Sequence, residues 1–273
     1  MTAAPRVPLT RSGPDTPSYH ARPLEAIVLD GARIHAQAGL ADELAQLVAS
    51  AGTLYDWAGG QPQPRALRGR APVYIATLPV AQRQVVVRHG WHGGLLAPIT
   101  RDLFRRPTRA PLELARSAEL RRLGIPTTEV LGYALYAAPL GLARVDVVTA
   151  YVDDTADLGM VIAGLAPHVD CDGALAATLR LLEQLAHHAV IHPDLNVKNI
   201  LLRTTSEQDP QAMVIDIDVV RIGGASPADT MDRNVARLVR SLEKWRRHFG
   251  CDLADRRIAE FAAAARARTP RRD

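Results

Sequence analysis

Apolar positions along this 273-residue chain change period several times, and each change marks an element. Leu40, Leu44, Leu47 and Val48 share one helical face, which predicts a helix over Asp42 to Ser50 closed by Gly52. Gly59 to Pro64 is a loop. Leu67 to Ala76 and Gln84 to His89 read as antiparallel strands joined through Leu78 to Arg83. His89 to Gly94 reads as a flexible connector. Pro111 then opens a helix that runs to Leu123 and stops at Gly124. Glu113 sits in its first turn, where the helix dipole favours an anion. Val130 to Tyr136 and Ala143 to Tyr151 are β-rich; in the second, Val145, Val147 and Val148 flank Asp146. Thr149 to Val152 reads as a hinge, with Asp153, Asp154 and Asp157 beyond it. Leu175, Leu179, Leu182 and Ala186 place Ala174 to Val190 in a helix, and two more are predicted over Asp229 to Phe249 and Leu253 to Arg268.

The order of these elements predicts an α+β fold in three parts. Residues 1–22, rich in Pro, Thr and Ser without an apolar core, read as a loose tail. Residues 23–150 form a lobe built on an antiparallel sheet, and 151–273 a mainly helical lobe.

Charge adds a constraint. The net charge is +4, yet only Lys198 and Lys244 are lysines; arginine carries the rest. From Met231 to the end there are twelve Arg or Lys against six Asp or Glu. That run reads either as a solvated helical surface or as attraction to an anionic surface or substrate. Nucleic acid is disfavoured, because no aromatic-interleaved basic stripe or reader motif occurs. Cys171 and Cys251 have neither disulfide-framework nor metal-ligand spacing, which favours a reduced compartment. No run of about 18 apolar residues predicts a membrane span.

The candidate chemistry lies in two consecutive stretches. The first is Ile191-His192-Pro193-Asp194-Leu195-Asn196-Val197-Lys198-Asn199-Ile200-Leu201-Leu202, polar at its start and apolar at its end. The second, Met213 to Val220, reads as a buried strand with Asp216 and Asp218 on one face. A polar turn from Ser206 to Pro210 separates them, so a hairpin would bring Asp194, Asn199 and Asp216 together. Phosphoryl transfer needs such a set: an Asp to take the proton of an attacking hydroxyl, and an Asn and an Asp to hold Mg²⁺ on the phosphates. Alternatively, Asp194 and Asn199 are turn formers and the two carboxylates a solvated face; that reading leaves the acidic interruption of an apolar strand unexplained.

Together the two stretches match the kinase pattern H-x-D-L-x-x-x-x-N-I-L followed by a metal-binding Asp. Over roughly residues 65–245 the chain resembles the protein kinase-like superfamily and, within it, the lipopolysaccharide kinase family, with the 3-deoxy-D-manno-octulosonic acid (Kdo) kinases as the most similar members. The resemblance rests on Val87-Arg88-His89 with Gly93-Gly94-Leu95, on Glu113 with Leu120 to Pro126, on Asp194 to Leu202, on Ile215 to Asp218, and on Asn234 to Lys244. It implies a two-lobed protein kinase-like fold that uses ATP and Mg²⁺ and a lipid-linked acidic sugar as acceptor. It implies Asp194, Asn199 and Asp216 as catalytic groups, with His192 as a prop for the loop, and Asn199, Asp216 and Asp218 around the metal. It further implies Arg88, Glu113, Gly69, Arg68 and Tyr151 on the nucleotide. A turn at Gly69 alone reads equally as a plain turn or as a phosphate clamp.

The departures matter. No lysine precedes Lys198, so the usual strand lysine is absent and Arg88 stands in the matching place. The usual Asp-Phe-Gly reads Asp216-Ile217-Asp218, and no Ala-Pro-Glu element follows, which argues against a protein substrate. An aminoglycoside or choline-type phosphotransferase shares the loop but usually has a second His where Asn196 stands. A non-catalytic pseudokinase is the other alternative. The basic C-terminal run would suit a cytoplasmic protein, with an anionic inner-membrane face as a further candidate partner; oligomeric state is left open.

Overall fold

A computed structural model of the chain describes residues 23–67, 72–91, 102–204, 209–249 and 253–270. A seven-stranded antiparallel sheet in the order β1-β2-β6-β7-β5-β4-β3 dominates its first half. The strands are β1 Leu24–Leu29, β2 Ala32–Gln37, β3 Arg65–Leu67, β4 Val73–Thr77, β5 Gln84–His89, β6 Val130–Ala137 and β7 Ala143–Ala150. Strands β1 and β2, and the short helix α2 (Leu54–Gly59) after α1 (Ala41–Ala51), are absent from the sequence reading. The β1–β2 turn is Asp30-Gly31, with Leu29 opposite Ala32 and Gly31 at φ +74°. Glycine adopts that conformation without a side-chain clash, as such a turn requires.

Period-two alternation sorts the sheet residues onto two faces. Val85, Val87, Ala134, Tyr136 and Val148 pack with α1 and α2 on one side. Val130, Tyr133, Val145 and Val147 pack with Ala110 and Leu114 of α3 (Ala110–Arg122) on the other. The expected strand from Leu67 to Ala76 is two strands, interrupted at residues 68–71 outside the described set.

The hinge leads to the short strand β8 (Thr155–Asp157) and α4 (Leu158–Ile162), then α5 (Cys171–His187). After β9 (Val190–Ile191) come the hairpin β10 (Ile200–Arg203) and β11 (Gln211–Val214), and β12 (Arg221–Ile222), which pairs with β9. Helices α6 (Pro227–Phe249) and α7 (Asp255–Ala267) close the chain. Leu181, Leu182 and Leu185 of α5, Val235, Leu238 and Leu242 of α6, and Ile258 and Phe261 of α7 form one core with the hairpin. No helix among the described residues is long and apolar enough to cross a membrane.

Two expectations need correction. The stretch Met213 to Val220 is not a continuous strand: β11 ends at Val214 and Ile217–Val219 is a 3₁₀ turn. Asp216 lies between them at φ 60°, ψ 50°, so it and Asp218 do not share a strand face. His89, shared by the strand and connector readings, ends β5 as the strand reading had it and is held between two carboxylates, with Nδ1 2.5 Å from Asp146 and Nε2 3.2 Å from Asp102.

Candidate active site

Arg88 emerges from β5 on the α3 face because Val85 and Val87 occupy the other. Its Nη2 donates to both carboxylate oxygens of Glu113, at 2.5 and 2.6 Å. The first turn of α3 presents Glu113, and the helix is fixed further along by Ser117. That hydroxyl donates to Thr128 O and accepts from Val130 N, both at 2.9 Å, so α3 cannot slide along β6. The Arg88 side chain is 42 % exposed against 12 % for Glu113. The two residues that the resemblance places on the nucleotide are therefore paired, and Arg88 faces an open cleft. Burial acts against the guanidinium charge, yet Glu113, with Asp216 and Asp218 nearby, outweighs it and holds Arg88 above its usual pKa.

The catalytic-loop residues are placed by buried polar contacts. His192 is fully buried. Its Nδ1 accepts from the backbone N–H of Asp194 at 3.2 Å, so Nε2 carries the proton and donates to Ile215 O at 3.0 Å. The imidazole thus ties the Asp194 turn to the Asp216 turn. Burial lowers its pKa, partly countered by the Ile215 contact and the nearby carboxylates, and keeps it neutral. Asn234 of α6 braces the same point: its Oδ1 accepts from His192 N at 3.0 Å and its Nδ2 donates to Val190 O at 2.9 Å. Ser241, one face further along α6, accepts from Val197 N at 3.1 Å. Sequence reading quoted Asn234 to Lys244 as a resembling stretch but assigned Asn234 and Ser241 no role. The available signal was an Asn beside Val235, Leu238 and Leu242 on a core-facing stripe.

Asn199 donates through Nδ2 to Asp194 O at 2.9 Å, which leaves its amide oxygen free. Its backbone oxygen accepts from Ile215 N at 3.0 Å, so the β10 and β11 ends stay together where the hairpin was expected to converge. Asp216 sits in left-handed backbone, uncommon outside glycine but tolerated by Asp. Its carboxyl pKa is raised by burial first, then by the Asp218 charge, with Arg88 opposing. Asp218 pairs with Arg109 at 3.2 Å, a cation sequence reading did not single out.

Three cavities divide these residues. Arg88, Glu113, Asp216, Asp218 and Arg109 line one of about 560 Å³ between β5, β7 and α3. Asp194, Asn196 and Lys198 line another, of about 610 Å³, against α6. Tyr151 lies in a third of about 390 Å³ at the hinge, away from Arg88, with Arg65 5.6 Å from its ring centroid. Arg68 and Gly69 fall outside the described residues.

Among the described residues no group of three or more His, Cys, Asp or Glu has metal-binding proximity. The donors present are instead an amide oxygen and carboxylates, hard ligands of the kind Mg²⁺ takes in small number when phosphates and water complete its shell. Burial first, and the Asp218 charge second, raise the Asp216 pKa, and a dication bound there would favour its charged form. The residues fit the ion.

A model of the lipopolysaccharide kinase (Kdo/WaaP) family matches residues 68–264. The 3-deoxy-D-manno-octulosonic acid kinase of Actinobacillus succinogenes is 28 % identical over 175 residues, 63 % of this chain and 70 % of that protein. Its counterpart in Haemophilus influenzae is 27 % identical over 163 residues, 58 % of this chain and 65 % of that protein. That of Mannheimia succiniciproducens is 26 % identical over 164 residues, with the same coverage of 58 % and 65 %. The chain thus spans about two thirds of the length of these relatives. A solved structure of WaaP in complex with acyl carrier protein aligns at a TM-score of 0.46 and 18 % identity, over 76 % of this chain and 80 % of that one.

Proposed function

Because the chain belongs to the lipopolysaccharide kinase (Kdo/WaaP) family, with the protein kinase-like fold and ATP as phosphoryl donor, we propose that it phosphorylates a hydroxyl of Kdo in a lipid A-linked saccharide. One observation carries the reading: His192 ties the Asp194 turn to the Asp216 turn, Asn199 bonds to Asp194 O, and Asp216 and Asp218 line one cavity with the Arg88–Glu113 pair. The likeness to the Kdo kinases supports the choice of acceptor.

In this reading Asp194 orients the acceptor hydroxyl and takes its proton as the oxygen bonds to the γ-phosphorus. The bond to the β,γ-bridging oxygen breaks, its electron pair leaves with ADP, and the product is a sugar phosphomonoester. Asn199 and Asp216, with Asp218 beside them, would hold Mg²⁺, which neutralises the nucleotide phosphates when bound. Arg88 supplies the permanent charge over those phosphates that a strand lysine supplies elsewhere, and Glu113 fixes its direction. Neutral His192 positions the loop and transfers no proton.

The pseudokinase alternative rests on the missing lysine and the altered glycine loop. The Arg88–Glu113 pair supplies a cation at that place, and the acid and amide groups are all present, which favours catalysis. The aminoglycoside or choline-type alternative is disfavoured by the family match. Transfer of labelled γ-phosphate from ATP to Kdo-lipid A, with the sugar phosphate identified after mild acid hydrolysis, tests the proposal. A hydroxyl elsewhere in the acceptor carrying the label would refute the assignment to Kdo.

A further inference from the structure

The cavity beside Asp194 has a wall that phosphoryl transfer from ATP does not explain. Arg237, Arg240 and Lys244 are spaced i, i+3 and i+7 along α6, so they share one helical face, and all are exposed on the cavity with Lys198 and His248. Among the described residues no carboxylate lies within ion-pair distance of Arg237, Arg240 or Lys244. Arg240 makes only a backbone contact, Nε to Ala236 O at 3.2 Å. Other basic groups of the same region are paired, Arg246 with Asp255 and Arg266 with Asp232. Unpaired cations are thus gathered on the face that looks at the proposed base, and Asp194 is the sole acidic side chain in the lining. Like charges at this spacing repel, an arrangement that opposes folding until an anion enters.

The cavity floor is built, not incidental. Trp245 donates through its indole N–H to Gly159 O at 2.8 Å, and its ring lies so close to Gly159 that an added Cβ would come within 2.8 Å of it. Lys198 Nζ stands 5.2 Å from the Trp245 ring centroid, held over the aromatic face. Val197 N donates to Ser241, so the loop carrying Lys198 is fixed to the same helix.

We propose that Arg237, Arg240, Lys244 and Lys198 form a cradle for an anionic group, a carboxylate or phosphate, carried by the acceptor next to the hydroxyl that Asp194 activates. The cradle rests on the phosphotransferase reading of Asp194 but adds how the acceptor is chosen. A neutral sugar of the same shape would leave Arg237, Arg240 and Lys244 without a counter-ion from the acceptor, so selection comes from charge as well as fit.

The test is the acceptor KM of the full chain with Kdo-lipid A in neutral detergent, for the parent and for Arg237→Ala/Arg240→Ala, with Lys244→Ala as a second variant. The side chains are exposed, and unchanged thermal unfolding with unchanged Mg-ATP affinity would show that the fold and nucleotide cleft persist. The acceptor KM is expected to rise tenfold or more in the double variant. Acceptor with its Kdo carboxylates esterified should bind the parent as weakly as the variant binds the native acceptor if carboxylate is the anion, and as tightly as native acceptor if phosphate is. An acceptor KM within twofold of the parent in the double variant overturns the cradle. So does loss of binding to phosphatidylglycerol vesicles, relative to phosphatidylcholine, with the acceptor KM intact, because the charges would then serve a lipid headgroup. Calorimetric binding of Kdo-lipid A to Asp194→Asn reads the cradle without turnover. A parent that binds the acceptor through α6 yet transfers no phosphate would defeat the kinase reading and leave the cradle standing.

Discussion

Arg88→Ala removes the cation paired with Glu113 and leaves that carboxylate with Asp216 and Asp218 nearby. Breaking a fully buried ion pair from one side costs roughly 3–5 kcal/mol. Here the guanidinium is 42 % exposed, so water replaces part of the lost interaction and the stability cost falls to about 1–2 kcal/mol. For a chain of this size that lowers Tm by about 2–4 °C. The kinetic cost is larger, because a donor directed at developing charge is worth roughly 10²–10³ in kcat, or about 3–4 kcal/mol. Both kcat and the ATP KM should change, since the contact acts in ground and transition states. Arg88→Lys should recover only part of the loss, a point charge on a shorter stem replacing the fork. The two effects separate in Arg88→Ala/Glu113→Gln, where the orphaned carboxylate is gone. Tm should return to within about 1 °C of the parent while kcat/KM for ATP stays depressed. The assays are steady-state kinetics with varied ATP and thermal unfolding of all four proteins. Arg88→Ala with parental kcat/KM for ATP would refute the phosphate-clamp role; a double variant as unstable as the single one would refute the stranded-carboxylate explanation.

Asp216→Ala should abolish Mg²⁺-dependent ATP binding, and Asp218→Ala weaken it less, because Asp218 is already paired with Arg109; calorimetry showing the reverse order would mean the wrong carboxylate has been chosen. Asn234→Ala removes partners of both His192 N and Val190 O inside the core, so chemical denaturation should show a loss of about 2–4 kcal/mol, whereas a loss below 0.5 kcal/mol, roughly the surface-substitution range, would show that the tether does not hold the loop. Burial lowers the His192 pKa, so the unfolded chain binds the proton more readily; the stability contributed by the neutral ring is full above about pH 6.5 and is lost as pH falls through that value toward the depressed folded pKa. The stability gap between parent and His192→Asn should therefore narrow from pH 7.5 to pH 5.5, and a gap that widens on acidification would contradict a neutral ring.

Legibility in the sequence followed the strength of the local signal. Helices α5 and α6 were readable because long apolar stripes end at Gly, Pro or polar clusters, α3 because Pro111 opens it and Gly124 closes it, and β6 and β7 because β-branched and aromatic runs are bounded by turns. Strand β1 is mostly solvent-exposed and shows no clean alternation, so the Asp30-Gly31 turn alone would have had to reveal it. The Met213 to Val220 run is apolar enough for a strand. What breaks it is tertiary: Asn199 O takes Ile215 N, His192 takes Ile215 O, and Asp216 turns left-handed between β11 and the 3₁₀ turn. The candidate residues Asp194 and Asn199 stood out in the sequence because their spacing is set within one loop, and Asp216 because it interrupts an apolar run. Asn234, Ser241 and Arg109 were not, since each reaches the site from a helix or helix start that folding alone brings there.

The most direct measurement is single-turnover transfer of labelled γ-phosphate to Kdo-lipid A by the parent and by Asp194→Asn at equal Mg-ATP occupancy. Removing a positioned general base costs about 10²–10⁴ in rate. The parent should form a Kdo phosphomonoester, and Asp194→Asn should bind nucleotide as tightly but form product at least a hundredfold more slowly. Turnover by Asp194→Asn within a few-fold of the parent, or a parent that loads Mg-ATP and leaves the Kdo hydroxyls unlabelled, would contradict the assignment of this cleft to Kdo phosphorylation.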